Sequence, residues 1–542
     1  MKRRFSCLLL AGLLGLSLAA CAPRGSADPS QSQSAGADDP DTLTIAVTKD
    51  ENTLAPFTYV SSTGLTVNRL VYDTLFTTDT DNNVIPWMVS DDYQVDADSS
   101  VYTFSLLPGQ KFHDGTPLTA EDVAFSFRYC AGQNVAQLRK IANQIEAIEI
   151  LEGDTLRFTL KESNINFLRD GLCTMRIISK AIYENEPDGT LVTESVGSGM
   201  YRLAEYKPGQ YYRLEAVGDY FRGAPRVRVL QMPIIEDPSA VQQSLLSGEL
   251  AAATSTVGTE VLDAFRSKPG MTVFASAGYS PVMMNINCGR APMDQSAFRE
   301  ALACAVDVSG IMHTLYGDYC SVGTRGLVRS DLPYAVEGLD YTYDPGRADT
   351  LLDTLGYTEK NAVGVRLDES GAPLSFEILV YANNPLRLRM AELISQQLRQ
   401  VGLDLRVKAM EMDTVDAYVW PDFEVSKGRD YDFAMWGWGS SISPDYLVNL
   451  CAGDYESGGD NVCGYRSDAF DAVVDGALRE VRNMDQMEDV LRQLQEIVAE
   501  DPPLINLGYP DSLQVCNTAL YGGWKSMKGG NVVNVFTFLP EH

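Results

Sequence analysis

Residues 102–127 read YTFSLLPGQKFHDGTPLTAEDVAFSF and form the most informative stretch of this chain. Apolar residues alternate with small polar ones from Tyr102 to Leu106, which predicts a strand with one buried face. Two turn signals follow, at Pro108-Gly109 and at His113-Asp-Gly115. Short strands broken by such turns predict a small α+β subdomain, which we place at residues 69–195.

The middle and C-terminal parts of the chain alternate strand patterns with amphipathic helix patterns. The clearest helix runs from Pro385 to Val401, with apolar residues three or four positions apart along one face. Gly402 ends the helix as a C-terminal cap, and residues 403–407 then alternate as a strand. This succession predicts an α/β domain with a largely parallel sheet.

The N-terminus predicts export followed by attachment to a membrane. Residues 1–20 combine a basic start with an apolar stretch from Phe5 to Ala20, which is too short for a spanning helix. The run Leu18-Ala-Ala-Cys21 resembles the bacterial lipobox, in which the cysteine is acylated and begins the mature chain. The alternative is an ordinary cleaved signal peptide with an incidental cysteine.

Residues 21–41 predict a tether between the lipidated cysteine and a folded body. Residues 22–41 read APRGSADPSQSQSAGADDPD and contain no bulky apolar residue, so we expect them to stay disordered. Removal of residues 1–20, which hold three basic and no acidic side chains, shifts the formal charge from −30 to −33. Such a charge argues against nucleic acid as a partner and against a basic patch for anionic lipid.

The cysteines and histidines do not predict a metal site. Of ten cysteines, Cys7 lies in the signal and Cys21 at the cleavage point, and no Cys-x-x-Cys pair accompanies the three histidines. A structural zinc needs clustered ligands of these types, so we expect neither a metal nor a cofactor. Export permits a disulfide, and Cys451 with Cys463 is the most plausible pair. Buried free thiols are the equally open alternative.

Catalytic motifs are also missing from the sequence. No Gly-x-Ser-x-Gly elbow and no phosphate-binding Gly-x-x-x-x-Gly-Lys loop occurs. His113 lies in a turn, His542 is terminal, and His313 lies in a helical pattern that favours a structural role. We therefore predict that the protein is not an enzyme, with a secreted, lipid-anchored hydrolase as the alternative.

An aromatic cluster is the best candidate for ligand recognition. Residues 431–441 read YDFAMWGWGSS, a short strand that leads into a glycine-flanked turn. Trp436 and Trp438 lie two positions apart, so both side chains leave the strand on one face. Glycines allow close backbone approach, and Ser440 and Ser441 supply hydrogen bonds. This composition suits a ligand site, while core packing is the alternative for both tryptophans, and more so for Trp436 than for Trp438.

The chain resembles the extracytoplasmic solute-binding lipoproteins of peptide/nickel-class ABC importers, the bacterial family 5 group. Residues 102–127 come close to the signature of that family, and the resemblance covers essentially everything after Asp41. Further matching pieces follow in the family's order: residues 71–76, 85–89, 197–203, 219–221, 285–287, 298–302, 305–307, 343–348 and 431–438.

The resemblance implies a periplasmic-binding-protein-like α/β fold with two lobes that close like a hinged trap around two crossing segments. The crossings would lie near Ala277–Pro281 and Pro502–Ile505. The implied division is lobe I at 42–68, 196–278 and 505–542, the inserted subdomain of lobe I at 69–195, and lobe II at 279–504.

The resemblance also implies a function: capture of a small peptide or peptide-like solute and its delivery to an ABC permease. We expect a monomer outside the cell, anchored through Cys21. The ligand contacts that we expect are Trp436, Trp438, Tyr381, Ser440, Ser441, Asn383 and Arg387, with Asn52, Thr53 and Tyr59 from lobe I. A metal chelate or an oligosaccharide as solute, and a signalling or chaperone role, stay open as alternatives.

One departure from the family pattern concerns the substrate. Many peptide-binding members carry an aspartate at the position of Ser441, where it pairs with the peptide's amino terminus. A serine hydroxyl accepts a hydrogen bond from an ammonium group but does not neutralise its charge, and a buried unpaired charge is costly. Asp445 is the nearest acid and has a different family position. Either another acid takes this role, or the ligand has no free amino terminus.

Overall fold

The computed structural model describes residues 39–51, 54–57, 61–133, 135–437, 445–453 and 460–540. The strands are β1 Thr42–Ala46, β2 Phe76–Thr78, β3 Val84–Pro86, β4 Gln94–Val95, β5 Val101–Ser105, β6 Ile145–Leu151, β7 Thr155–Leu160, β8 Tyr201–Lys207, β9 Tyr211–Ala216, β10 Val229–Pro233, β11 Ala252–Ala253, β12 Met271–Ser276, β13 Val282–Ile286, β14 Cys320–Val322, β15 Ser375–Tyr381, β16 Asp404–Met410, β17 Phe433–Trp436, β18 Leu504–Pro510 and β19 Ser512–Asn517.

Helices separate most of these strands. They are α1 Ser62–Val71, α2 Ala120–Cys130, α3 Ala136–Asn143, α4 Lys180–Tyr183, α5 Pro238–Ser247, α6 Leu262–Arg266, α7 Ser296–Ala305, α8 Val308–Tyr316, α9 Pro345–Thr354, α10 Pro385–Gln400, α11 Met412–Val419, α12 Asp445–Cys451, α13 Asp468–Asp475, α14 Met484–Glu500 and α15 Val535–Phe538. No helix in the described ranges is both long and apolar enough to span a bilayer.

Two large sheets organise the body. The first has the order β11-β1-β10-β9-β8, and the second has the order β14-β18-β13-β17-β15-β16. In the second sheet β15 pairs in parallel with β16 and β17, whereas β13 runs antiparallel to β17 and β18, and β14 antiparallel to β18. The prediction of a largely parallel sheet is therefore wrong. The reason is that β13 enters the sheet and β18 leaves it through the same end, so the two strands must run in opposite directions.

Two short segments connect the six-stranded sheet with the two-stranded ladder of β12 and β19. The first is residues 277–281 and the second is Asp511, because β18 continues to Pro510. The sequence analysis placed the second crossing near Pro502–Ile505. In the structure these residues lead into β18, which pairs with β13 and β14, so the connection comes after that strand. The two segments touch, since a Cβ at Gly278 would lie 1.8 Å from the Pro510 carbonyl oxygen.

The hydrophobic core divides in the same way as the sheets. One cluster joins Ile45 of the five-stranded sheet with Phe104 of the 69–195 segment. A separate cluster surrounds the six-stranded sheet and includes Ile378 and Phe433. Because apolar burial is the main driving force for folding, each sheet brings its own core.

Local predictions from the sequence hold for several of these elements. Helix α10 ends at Gln400, and Gly402 adopts a left-handed φ of 83° before β16 begins. Residues 102–127 form β5, two turns and α2, which starts with a capping box between Thr119 and Asp122. The 69–195 segment also holds the four-stranded antiparallel sheet β4-β5-β7-β6.

Candidate ligand-binding site

Four of the shorter motifs that match the family, at residues 71–76, 85–89, 197–203 and 219–221, meet at a buried carboxylate. Asp73 is 3% exposed and accepts hydrogen bonds from Trp87 Nε1 at 3.0 Å, the Tyr220 hydroxyl at 2.7 Å and Ser198 Oγ at 3.1 Å. Burial raises the pKa of Asp73 to about 6, against these three donors and the positive charge of Arg222. The network joins the 69–195 segment to the loops beside β8 and β9, so these four motifs have a structural role here.

The two described histidines both form hydrogen bonds with backbone groups. The His113 ring donates from Nε2 to the Gly199 carbonyl at 2.9 Å, and its Nδ1 accepts from the Gly197 amide at 3.3 Å. Burial lowers the pKa of His113 to about 4, which keeps the ring neutral with both nitrogens engaged. His313 lies on the exposed side of α8, where Nδ1 bonds the Ser309 carbonyl at 2.9 Å.

Aromatic side chains gather where β15 and β17 end. These strands are parallel neighbours, so their carboxyl ends lie at one edge of the sheet and bring Tyr381 beside Trp436. The two ring centroids are 5.9 Å apart. Trp436 is only 6% exposed and packs in a cluster with Leu379 and Val415, which agrees with the core-packing alternative for this residue.

Tyr381 is half-buried and links groups of opposite charge. Its hydroxyl donates to Asp416 Oδ1 at 2.9 Å, and the Arg387 Cζ atom lies 5.5 Å from the centre of its ring. Burial raises the pKa of the Asp416 carboxyl, against the hydrogen bond from Tyr381. The cluster therefore offers an apolar face, a hydrogen-bond acceptor and a guanidinium within one small area.

Arg387 occupies the first turn of α10, just after the capping residue Asn384. Its guanidinium lies against Gly437 at the end of β17, where a Cβ would come 2.8 Å from Nη2 and 2.6 Å from the Pro281 carbonyl oxygen. Burial lowers the pKa of Arg387, and the phenol of Tyr316 is within electrostatic reach. The side chain thus lies where the six-stranded sheet meets the connecting segment 277–281.

The structure places four of the predicted contact residues. It brings Tyr381, Trp436 and Arg387 together and leaves Asn383 exposed in the turn between β15 and α10. The other predictions lie outside the described residues: Trp438, Ser440, Ser441, Asn52, Thr53, Tyr59 and the lipidation site Cys21.

Asp416 is a member of the candidate site that the sequence analysis missed. It lies 35 positions from Tyr381 on helix α11, and the sequence contains no signal that pairs the two. Glu51 is a second buried carboxylate that the sequence analysis did not consider. It is 2% exposed, directly precedes Asn52, and its carboxylate accepts a hydrogen bond from Ser61.

The cysteine thiols of the described residues are unpaired. The eight cysteines that the structure describes are free, so Cys451 and Cys463 follow the free-thiol alternative rather than the disulfide. Burial raises the pKa of Cys463 to about 11. The described residues include no group of three or more His, Cys, Asp or Glu side chains arranged to hold a metal ion.

Comparisons with known proteins give a consistent result. The family model "Bacterial extracellular solute-binding proteins, family 5 Middle" matches residues 83–459. The chain is 25% identical over 94% of its length to the oligopeptide-binding protein AppA of Bacillus subtilis, 95% of which is covered. It is 28% identical over 76% of its length to the nickel-binding periplasmic protein of Escherichia coli, with 78% of that protein covered.

A solved structure confirms the predicted α/β fold. The ABC transporter substrate binding protein CtaP of Listeria monocytogenes superposes with a TM-score of 0.81 at 21% identity, over 92% of this chain and 99% of that one. The family match spans more than half of the sequence, and the fold agrees with it. The chain therefore belongs to the bacterial extracellular solute-binding proteins, family 5, and is a solute-binding protein that serves transport rather than an enzyme.

Proposed function

We propose that this protein captures a peptide or peptide-like solute outside the cell and delivers it to an ABC permease. The observation that carries the proposal is the cluster at the ends of β15 and β17. It places an acidic and a basic side chain, which complement the two charged ends of a peptide, beside an aromatic surface. The likeness to an oligopeptide-binding protein over nearly the whole chain supports it. Recognition by a few polar groups on an apolar wall is typical of small-ligand sites.

Asp416 answers the difficulty raised by Ser441. A peptide ammonium needs an acid for charge neutralisation, and Asp416 is a half-buried carboxylate next to the aromatic wall. An ammonium would stabilise its charged form, which burial disfavours. In this proposal Asp416 takes the place of the aspartate that many peptide-binding members carry at the position of Ser441.

The two-lobe arrangement is part of the proposal, with one boundary redrawn. Lobe I comprises residues 42–68, 196–278 and 511–542 with the insertion 69–195, and lobe II comprises 279–510. In this proposal Tyr381, Arg387 and Asp416 contact the solute in the cleft between the lobes. The protein acts as a monomer that is anchored to the membrane by acylation of Cys21.

Native mass spectrometry of the protein purified from a rich medium tests the solute class. We expect bound masses that match short peptides and disappear after mild denaturation and refolding. The refolded protein should then show a rise in melting temperature with a pool of tripeptides, because a ligand that binds only the folded state stabilises it. Bound masses of a metal chelate or a sugar, with no response to peptides, would contradict the proposal.

A further inference from the structure

Arg387 has an environment that folding alone does not explain. It is half-buried, yet among the described residues no carboxylate forms an ion pair with it. Its named neighbours are the rings of Tyr381 and Tyr316 and the backbone around Gly437 and Pro281. The aromatic face of Tyr381 attracts the cation but does not neutralise it.

The position of Arg387 in the first turn of α10 is also unfavourable for a basic side chain that has no anion beside it. The first turn of a helix carries exposed N–H groups and a partial positive charge, so a basic side chain is unfavourable there. Several other buried or half-buried arginines of this chain have acceptors for their guanidinium groups. Arg299 pairs with Asp501 and Arg325 with Glu300. Arg222 donates to the Trp87 carbonyl at 3.0 Å. A desolvated guanidinium at a helix N-terminus is therefore a site prepared for an anion.

We propose that Arg387 is the residue that binds a carboxylate group of the captured solute, through the planar guanidinium supported on the Tyr381 ring. Guanidinium and carboxylate match in geometry and form two parallel hydrogen bonds. This inference rests on the proposed function and makes it narrower, because it requires a negatively charged group on the solute. The carboxylate comes from the peptide's C-terminus or from an acidic side chain.

Three tripeptide pools distinguish these sources in a thermal-shift titration of the purified full chain. The first pool has neutral side chains and free carboxyl termini, the second has the same sequences as C-terminal amides, and the third consists of amides with a central Asp or Glu. Binding of the first pool alone assigns the C-terminus, and binding of the third pool assigns a side chain.

The variant Arg387→Gln should weaken binding of the carboxylate-bearing pool about ten- to a hundredfold, as expected for loss of a charged hydrogen bond. The affinity of Arg387→Lys should lie between those of Arg387→Gln and the wild type, because lysine keeps the charge but not the planar group that forms two parallel hydrogen bonds. The matched control is Arg389→Gln, two residues away, whose exposed side chain pairs with Glu392. It should leave the affinity unchanged.

The melting temperature without ligand separates binding from folding. Arg387→Gln should keep or raise it, because the substitution removes a desolvated charge. This inference is overturned if the wild type binds the neutral amides as tightly as the pools that carry a carboxylate. It is also overturned if Arg387→Gln loses the same affinity for the neutral amides as for those pools. Either result leaves the proposed function standing. Binding of no pool by the wild type overturns both.

Discussion

At the scale of single residues, Asp73 shows how motifs that match the family can be joined by one buried hydrogen-bond network. Three donors surround its carboxylate, and two of them, Ser198 and Tyr220, come from beyond the 69–195 segment. A buried polar network of this kind specifies one arrangement of the elements that share it. Motif residues around Asp73 are therefore expected to control stability rather than affinity.

Titration of Asp73 should make stability depend on pH. Its pKa is about 6 in the folded protein against an ordinary value of 3.8, so the folded state binds the proton more tightly than the unfolded state does. The stabilisation that protonated Asp73 contributes to the free energy of unfolding is fully present below pH about 4 and is lost as the pH rises through about 6. The corresponding loss is about 3 kcal/mol.

Asp73→Asn tests this linkage with little change in shape. The amide oxygen still accepts from Trp87 and Tyr220, and the amide nitrogen can donate to Ser198 Oγ. We measure the free energy of unfolding with denaturant at pH 4 and at pH 7. Between these values it should decrease by about 3 kcal/mol less in Asp73→Asn than in the wild type. The exposed control Asp91→Asn should keep the wild-type slope. An unchanged slope in Asp73→Asn would show that the carboxylate is ionised throughout.

At the scale of elements, the two connecting segments are packed too closely for a side chain between them. Gly278 lies against the Pro510 carbonyl, and Arg329 donates from Nη1 to the Gly278 carbonyl at 2.6 Å. The same Nη1 lies 3.9 Å from Asp511 Oδ1. One arginine therefore contacts both segments at their point of closest approach.

Gly278→Ala should force the two segments apart. A Cβ would overlap backbone rather than a flexible side chain, so we expect a loss of about 1–3 kcal/mol in the free energy of unfolding. The control is Gly218→Ala, because no atom lies within 4 Å of a Cβ at that exposed position. Denaturant unfolding of both variants measures the difference. A Gly278→Ala variant as stable as the control would mean that the segments separate without cost.

At the scale of the whole molecule, the proposed hinge predicts a change of shape. Residues 277–281 and Asp511 are the short links between the six-stranded sheet and the ladder of β12 and β19. Closure about such links would bring the two lobes over the solute. Small-angle X-ray scattering should show a smaller radius of gyration with a saturating peptide pool than without it. Identical scattering curves with a bound peptide would contradict a hinged closure.

Short-range features of this fold could be predicted from the sequence alone. Helix α10, its stop at Gly402 and strand β16 follow from apolar periodicity and from the one residue that adopts a left-handed φ at no cost. The signature at residues 102–127 also indicated the family, because a run of that length has few alternatives. Capping and periodicity act over a few residues, so local sequence determines them.

The tertiary structure alone decided the direction of β13 and β18, the position of the second connection at Asp511 and the meeting of Asp416 with Tyr381. Each of these depends on segments that are far apart in the chain. Their pairing is set by the burial of two separate cores and by which end of a sheet the chain enters. A sequence pattern carries no record of either, since the same alternation of apolar residues suits a parallel or an antiparallel neighbour.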